Sequence, residues 1–144
     1  MNSSLLQQIG RTSRAMYCAF EAEVGQALPR WRILQALHEH KCATQKQLAT
    51  QLSMDPGALT RQMKALEKDF LVERRSAPED NRLTTVTLTK KGSDMFVALQ
   101  GQRQAFLEKS LEGLPQDHLK TTMEALKLLE ARFREMMDGH EHFS

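Results

Sequence analysis

The sequence predicts a mainly α-helical fold with one small β-hairpin, and three observations lead to that prediction. Apolar residues recur at three- and four-residue steps over most of the 144 residues, which is the spacing of helices with one buried face. Aromatic residues make up only 6% of the chain, and the plentiful Leu, Ala and Met favour helix. One central segment changes to short runs rich in Val, Thr and Leu, which are typical of strands.

Four helices come before that segment, and the first two are long. The first carries an apolar stripe at helical spacing, made of Leu5, Leu6, Ile9, Met16, Phe20 and Val24. Gly25 interrupts this helix, and Pro29 suits the first turn of the next one, because its missing N–H would have no partner there. Trp31, Leu34 and Leu37 are then predicted to lie on the buried face of the second helix.

Two short helices with clear start signals follow. Thr44 and Gln47 form a capping box, in which each side chain bonds to the backbone N–H of the other residue. After a stop at Ser53, Asp55 and Pro56 begin a fourth helix as its N-cap and first residue. This fourth helix is predicted to run to about residue 69.

The strand-like segment predicts a hairpin with a protruding loop. Residues 71–76 and 84–89 form its strands, and residues 77–82, which read APEDNR, form its turn. Helical spacing then returns from about residue 89 to residue 113. A last helix carries Leu119, Met123, Leu126, Leu129, Phe133 and Met136 or Met137.

Two short helices, a tight turn and a two-stranded wing make a winged helix-turn-helix, whose second helix is built to lie in the major groove of DNA. On the predicted fourth helix, Leu59, Met63 and Leu66 fall on one side. The other side holds small, hydroxylated and basic residues that suit base edges and phosphates: Gly57, Thr60, Arg61, Lys64 and Lys68. Gln45 and Arg75 are the further candidate DNA contacts of the helices and strands.

The net charge of +2 is too small for a uniformly basic surface, but the charge is unevenly placed. Residues 41–91 hold ten Lys and Arg against six Asp and Glu, a net +4, and the rest holds ten against twelve, a net −2. Taken alone, a basic helix face is usually just exposed to solvent and has no binding role. Together with the turn chemistry and the hairpin, the segregated charge favours a DNA-binding surface.

The wing supplies its own candidates. Arg82 is predicted to enter the minor groove, where its guanidinium meets negative potential. Asp80 could pair with an arginine and hold the wing in shape, and the alternative is an exposed ion pair that stabilises little. At least one of Arg74 and Arg75 must point outward, because successive strand residues face opposite sides of a sheet.

Residues 29–92 resemble the MarR family of bacterial transcriptional regulators. The resemblance lies in the stretches PRWRILQALHEH, QKQLATQLSMDPGALTRQMKALEKDFLVERR and PEDNRLTTVTLTKKG, and helices at both ends extend it over nearly the whole chain. The wing signature of the family is met by Asp80, Arg82, Leu88, Thr89 and Gly92. Phe70 stands where many members have a glycine.

The resemblance implies a single domain over residues 1–144, with residues 29–92 as the DNA-binding lobe and residues 1–28 and 93–140 as interlocking dimerisation helices. It implies a homodimer that binds a double-stranded DNA operator through a recognition helix at residues 56–69. Release by a small molecule or an oxidant is also implied, which fits a repressor. A two-fold dimer places its recognition helices about 34 Å apart, so the operator is predicted to be pseudo-palindromic.

Effectors of this family, often aromatic acids, tend to bind between the dimer helices and the DNA-binding lobe. Arg14, Tyr17, Arg30 and Trp31 are the candidates for a carboxylate partner and aromatic walls there. For each of these four residues taken singly, packing or a surface role is the alternative.

The cysteines and histidines favour structural roles. Some relatives sense hydroperoxides through a cysteine in the first helix, but a redox thiol needs access, and a buried, inert Cys18 is preferred. A regulator that senses oxidants through Cys18 is kept as the alternative. His38, His40 and Cys42 do not place three ligands on one helix face, so neither a metal site nor a cofactor is predicted.

Other classes of protein find less support. The chain has no Gly-rich phosphate loop, nucleophile elbow, HExxH motif or paired carboxylates, so it is not expected to be an enzyme. A winged-helix module that binds proteins without DNA is the remaining alternative. No stretch approaches the roughly 20 apolar residues of a membrane span, and the start lacks the order of a secretory signal, so a cytoplasmic protein without membrane contact is expected.

Overall fold

The computed structural model describes the backbone of residues 2–77 and 79–141 and the side chains of residues 4–76, 79 and 83–140. The chain separates into two compact units, Met1–Leu107 and Glu108–Ser144. The elements are α1 (Asn2–Val24), α2 (Leu28–His40), β1 (Cys42–Thr44), α3 (Gln45–Leu52), α4 (Pro56–Lys68), β2 (Val72–Ala77), β3 (Asp80–Leu88), α5 (Lys90–Ala98), α6 (Gln100–Leu111) and α7 (Gln116–Glu141).

The predicted helix starts are confirmed. The Gln47 N–H donates to the Thr44 hydroxyl at 3.0 Å, and the Thr44 N–H donates to the Gln47 side-chain oxygen at 2.9 Å, which completes the capping box of α3. The Asp55 carboxylate accepts from the Ala58 N–H at 3.1 Å at the start of α4. These short-range bonds determine where the two helices of the helix-turn-helix begin.

The sheet differs from the predicted hairpin because it has a third strand. Its strand order is β1-β3-β2, and β1 pairs antiparallel with β3, with Ala43 opposite Val86. A strand of three residues is too short to show the alternation by which strands are recognised in a sequence. β1 joins the start of α3 directly to the sheet that carries the wing.

The wing also differs from prediction, because β2 extends to Ala77 and β3 begins at Asp80. Ser76 pairs with Thr84 and Ala77 pairs with Asp80. Ser76 and Ala77 are adjacent in β2, but their partners in β3 are separated by residues 81–83. These three extra residues form a bulge in β3. The predicted protruding loop is mostly a widened part of β3.

The helix predicted between residues 89 and 113 is divided into α5 and α6 at Leu99. Leu99 has φ −89° and ψ −2°, so the backbone departs only slightly from helical geometry at the division. Apolar spacing does not report such a small change, because partly buried apolar residues that pack on the core lie on both sides of it, Met95 before and Phe106 after. Within the described residues, no helix combines the length and apolar character that a bilayer crossing requires.

The core of the first unit is built on α2 and α4. Trp31, Ile33, Leu34 and Leu37 of α2 are buried, which confirms the predicted face. They belong to one apolar cluster with the buried face of α4, and Phe96 stacks on Trp31 with ring centroids 4.6 Å apart. One side of α4 is thereby held in the core, and its polar side is left to face outward.

The second unit, Glu108–Ser144, consists mainly of the 26-residue helix α7. None of its described residues is buried within the single chain. The large apolar side chains that α7 exposes are Met123, Leu126, Leu128, Phe133, Met136 and Met137. Among the described residues, α7 therefore presents an exposed apolar surface of its own.

Helix α4 ends in a Schellman motif with Phe70 at the position that glycine usually occupies. The Leu71 N–H donates to the Leu66 carbonyl and the Phe70 N–H to the Glu67 carbonyl, both at 2.9 Å. Phe70 has φ +61°, which lies in the left-handed region, and it is 73% exposed. The chain therefore makes this turn without a glycine, and the Cβ of Phe70 strains it.

We expect Phe70→Gly to raise the free energy of unfolding by roughly 0.5–1 kcal/mol. A Cβ in the left-handed region costs about 1–2 kcal/mol, and glycine's greater freedom in the unfolded chain offsets about half of that gain. Urea denaturation measures the change. Phe70→Ala is the control because it removes the ring and keeps the Cβ, and a glycine variant no more stable than the alanine variant would contradict the strain argument.

Candidate nucleic-acid interface

The outward face of α4 carries the residues that the sequence analysis placed there. Gly57, Arg61, Lys64 and Lys68 are exposed, at steps of three and four residues along one side of the helix. The opposite side, which contains Leu59, Met63 and Leu66, lies in the core. The predicted division of this helix into a buried and an exposed face is confirmed.

The three cations on this face are available to a ligand. Among the described side chains, Arg61, Lys64 and Lys68 take part in no ion pair within the structure. A Cβ built on Gly57 would lie 3.7 Å from Nη1 of Arg61, so the guanidinium lies close to the first turn of the helix. This face therefore presents positive charge along α4, beside an amino-terminal end that the Asp55 carboxylate already caps.

Gln45 and Thr60 form a polar pair at the edge of this face. Gln45 is the first residue of α3, and its Nε2 donates to the Thr60 hydroxyl at 3.0 Å. The Thr60 hydroxyl in turn donates to the Pro56 carbonyl at 2.9 Å. Both side chains are half-buried, so the structure brings together two predicted DNA contacts that belong to different helices.

Arg74 and Arg75 of β2 point to opposite sides, as the strand alternation predicted. The Arg75 side chain is 80% exposed, and its only described contact is Glu73 at 3.4 Å. The Arg74 side chain is 25% exposed; its Nε donates to Glu67 of α4 at 2.6 Å and its Nη1 to Oε1 of Gln45 at 3.4 Å. Sequence reasoning missed these Arg74 contacts, since no local pattern relates residues 29 positions apart.

Two further residues that the sequence analysis did not single out hold the ends of the helix-turn-helix. Arg32 of α2 donates to the Leu52 carbonyl at 3.0 Å and so satisfies the last turn of α3. Lys91 of α5 donates to the Asp69 carbonyl at 3.0 Å at the end of α4. Neither residue is a sequence neighbour of the helix end that it contacts, so no local pattern predicts these contacts, and only packing brings the two residues into range.

Arg30, a candidate effector residue, is engaged with the recognition helix. Its Nη2 lies 2.7 Å from Oδ2 of Asp69, the C-cap of α4. The hydrogen bond from Arg30, followed by the charge of Arg30, lowers the pKa of Asp69 below its ordinary value of 3.8. A lowered pKa means that the ion pair stabilises the fold above that ordinary value, and the stabilisation is lost as the pH falls through the folded-state pKa.

We expect Arg30→Met to return the pKa of Asp69 toward its ordinary value of 3.8, because the variant removes both the hydrogen bond and the charge. Carbon-detected NMR of the Asp69 carboxyl, followed against pH in both proteins, measures this change. Equal pKa values for Asp69 in the two proteins would show that Arg30 is not the cause.

The other effector candidates lie in different surroundings. Arg14 and Tyr17 are exposed on α1, whereas Trp31 is 1% exposed and belongs to the core. Neither the Trp31 indole N–H nor Nε of Arg30 has a hydrogen-bond partner among the described atoms. No described hydrogen bond or ring contact joins the two α1 residues to the two α2 residues.

The wing candidates Asp80 and Arg82 can be placed only by their backbone. Both belong to β3, Asp80 at its first position and Arg82 within its bulge. Their side chains lie outside the described residues. Their predicted roles in the minor groove and in shaping the wing stay predictions.

Cys18 is exposed, so the prediction of a buried cysteine is wrong. The reason is that α1 buries only Phe20 and Val24 against the rest of the first unit, which leaves most of this helix uncovered. His38 lies on the Phe96 ring at 4.6 Å, and the His40 ring bonds to Gln51 at 2.7 Å. Within the described residues, no three metal-binding side chains come together.

Comparisons with known proteins agree on one family. The profile described as MarR family matches residues 27–84. The organic hydroperoxide resistance transcriptional regulator of Bacillus subtilis is 32% identical over 103 residues, which cover 68% of this chain and 70% of that protein. The similarity to this regulator therefore extends over about two thirds of both chains.

Two solved structures share the fold. A cysteine-to-serine mutant of MarR from E. coli, complexed with operator DNA, matches with a TM-score of 0.81 at 24% identity, over 88% of this chain and 93% of that one. The PcaV transcriptional regulator from Streptomyces coelicolor, in complex with its natural ligand, matches with a TM-score of 0.80 at 17% identity, over 86% and 89% of the two chains. They confirm the mainly helical winged fold.

Proposed function

The chain belongs to the MarR family of transcriptional regulators, and on this premise we propose that it is a homodimeric repressor released from a pseudo-palindromic DNA operator by a small effector. Its relatives are regulators of transcription and not enzymes. The observation that carries the proposal is the outward face of α4, where three cations without ion-pair partners among the described side chains lie opposite a buried apolar face. Such a regulator acts on chromosomal DNA, which places it in the bacterial cytoplasm.

The proposed contacts divide into base readout and phosphate binding. Arg61 and Thr60 read base edges, since arginine pairs with guanine and hydroxyl groups pair with several bases. Exposed cations further along contact phosphates and set the register: Lys64, Lys68 and Arg75. Gly57 allows close approach of the backbone, Gln45 reaches the same groove, and Arg82 enters the minor groove on a wing that Asp80 shapes.

A second copy of this chain is the proposed partner of the exposed apolar side chains. α1 exposes Leu5, Leu6 and Met16, and α7 exposes the six residues given above. Covering such residues stabilises a dimer by about 25 cal/mol for each Å² of apolar surface removed from water. Two copies related by a two-fold axis would bind two half-sites about one helical turn of DNA apart.

The proposed effector is a small molecule, with an aromatic acid as the first candidate. Arg14 and Tyr17 are exposed and free to meet it. Arg30 offers a guanidinium, although a carboxylate ligand would compete with Asp69 for it. Trp31 offers an indole N–H without a hydrogen-bond partner among the described atoms. PcaV, which shares this fold, is solved in complex with its natural ligand, and this supports the proposal of an effector.

Oxidant sensing through Cys18 is the second candidate function. The exposure of Cys18 favours it, and so does the relative named as a regulator of organic hydroperoxide resistance. The test is operator binding before and after an organic hydroperoxide is added, in the wild type and in Cys18→Ser. Release of the wild type alone would support the candidate, and equal behaviour of both proteins would contradict it.

The proposed function is tested with DNA from upstream of the gene. We expect a gel shift by a dimer, with log affinity falling steeply as log salt rises because cations displace counterions from phosphates.

Arg82→Ala is expected to weaken this binding and leave the dimer mass, measured by light scattering, unchanged. Adding aromatic acids in turn tests release. A flat salt response, or no shift at all, would instead support a protein-interaction module.

A further inference from the structure

We propose that Arg74 is a positioning residue that determines which hydrogen-bonding groups Gln45 and Thr60 present to DNA. The inference rests on the proposed function, because it assigns a consequence for base readout to contacts beside the α4 face. It concerns a residue that is turned away from the outer surface of the wing. Its evidence is a chain of four hydrogen bonds that joins β2, α3 and α4.

Arg74 is anchored to the recognition helix itself. Its Nε and Nη2 both lie within hydrogen-bond distance of Oε1 of Glu67, at 2.6 and 2.5 Å, and its side chain is only 25% exposed. A guanidinium is planar, so the Nε hydrogen bond and the Nη2 ion-pair contact to the same carboxylate oxygen set the direction in which its third nitrogen points. That nitrogen, Nη1, is 3.4 Å from Oε1 of Gln45.

The donor chemistry of Arg74 determines the orientation of the Gln45 amide. A guanidinium has five N–H donors and no acceptor, so only the oxygen of the amide can face it. If the amide were rotated by half a turn, its NH₂ group would face the guanidinium, donor against donor. Gln45 therefore directs Oε1 toward Arg74 and Nε2 toward Thr60, where the bond is 3.0 Å long.

Thr60 is restricted by the same chain. A hydroxyl group has one hydrogen to donate, and that of Thr60 goes to the Pro56 carbonyl at 2.9 Å. The hydroxyl oxygen accepts from Nε2 of Gln45, which leaves one lone pair and the methyl group for a ligand. Thr60 can therefore accept from DNA or contact a thymine methyl, and it cannot donate.

These restrictions define how the pair reads a base. A glutamine that recognises adenine uses its oxygen and its nitrogen together, and here the oxygen is held by Arg74. Gln45 keeps one N–H for DNA, which suits the N7 of either purine, the O6 of guanine or the O4 of thymine, but not the N4 amino group of cytosine. Without Arg74 the amide could rotate, and the discrimination between bases at that position would relax.

The test compares Arg74→Met with Arg75→Met, its neighbour on the outer side of the same strand. Each variant loses one positive charge, and fluorescence anisotropy measures its affinity for the operator and for operators changed at one base pair at a time. Arg74→Met is expected to lose about tenfold or more of the discrimination at one or two base pairs of each half-site. Arg75→Met is expected to weaken binding to every operator by a similar factor.

Gln45→Ala distinguishes a positioning role of Arg74 from a purely structural one. If Arg74 acts through Gln45, adding Arg74→Met to the Gln45→Ala protein produces no further loss of discrimination at those base pairs. If Arg74→Met does not fold, Arg74→Lys is tested in its place. A lysine keeps the charge but cannot bond to Glu67 and Gln45 with one planar group, so affinity for random DNA is retained and discrimination falls.

The outcomes separate the inference from the proposed function. If the wild type binds its operator, and Arg74→Met or Arg74→Lys changes affinity equally at all base pairs, Arg74 is only a structural or phosphate-directed residue and the inference is overturned. Additive effects of Gln45→Ala and Arg74→Met overturn it as well. Failure of the wild type to prefer any DNA contradicts the proposed function itself.

Discussion

Gly92→Ala is expected to lower the free energy of unfolding of the first unit by about 3 kcal/mol or more, the range of changes that force a buried backbone apart. A Cβ built on Gly92 collides with the carbonyl oxygen of Leu71 and lies 3.0 Å from its carbonyl carbon. Leu71 cannot move aside easily. It is 1% exposed, its carbonyl accepts from the Thr89 N–H at 3.0 Å, and its own N–H donates to Leu66 at 2.9 Å.

Urea denaturation of Gly92→Ala beside Gly101→Ala measures this effect. Gly101 lies in α6, and a Cβ built there meets no atom within 4 Å, so the same substitution is expected to be neutral or to stabilise by up to about 1 kcal/mol. The pair separates the steric cost at Leu71 from the general effect of replacing glycine by alanine in a helix. Equal stability of the two variants would contradict the close approach between α5 and the turn after α4.

Arg61→Ala is expected to weaken operator binding by about 10- to 100-fold, which corresponds to the 1–3 kcal/mol of a good arginine contact to a base. Arg61 is exposed near the amino-terminal end of α4, and the described side chains offer its guanidinium no carboxylate partner. The loss is therefore expected at particular base pairs, which Arg61 no longer reads.

Lys64→Ala is the matched variant on the same helix face. A lysine that contacts phosphate contributes equally to all sequences, so its removal is expected to weaken every operator alike and to make the salt dependence less steep. Anisotropy titrations against operators changed at single base pairs, at two salt concentrations, distinguish the two residues. If Arg61→Ala and Lys64→Ala have the same profile over all base pairs, Arg61 does not read bases.

Much of the helix-turn-helix could be predicted because its signals are local. Asp55 and Pro56 start α4, and Thr44 with Gln47 starts α3, through contacts that span three residues. Helical spacing then assigns Leu59 and Met63 to the core, and the same period places the cations on the other side. The outward face of α4 therefore follows from the order of residues alone.

Other features could not be predicted because they depend on residues far apart in the chain. Phe70 adopts a glycine conformation because the Schellman bonds and the Thr89 hydroxyl, which donates to the Phe70 carbonyl at 2.6 Å, hold the turn against the strain. Arg30 was predicted as an effector residue and binds Asp69, 39 positions away. Cys18 was predicted to be buried, and its exposure reflects how little of α1 packs on the first unit.

The amino-acid sequence by itself determined the winged helix-turn-helix and the cationic face of its recognition helix, because caps, turns and hydrophobic periods act over a few residues. The tertiary structure decided what surrounds that face. It brought Arg74 of β2 to Gln45 of α3 and Glu67 of α4, and it pressed Gly92 against Leu71. Hydrogen bonds and close approaches of this kind form only when packing of the core brings separate elements within a few ångströms of each other.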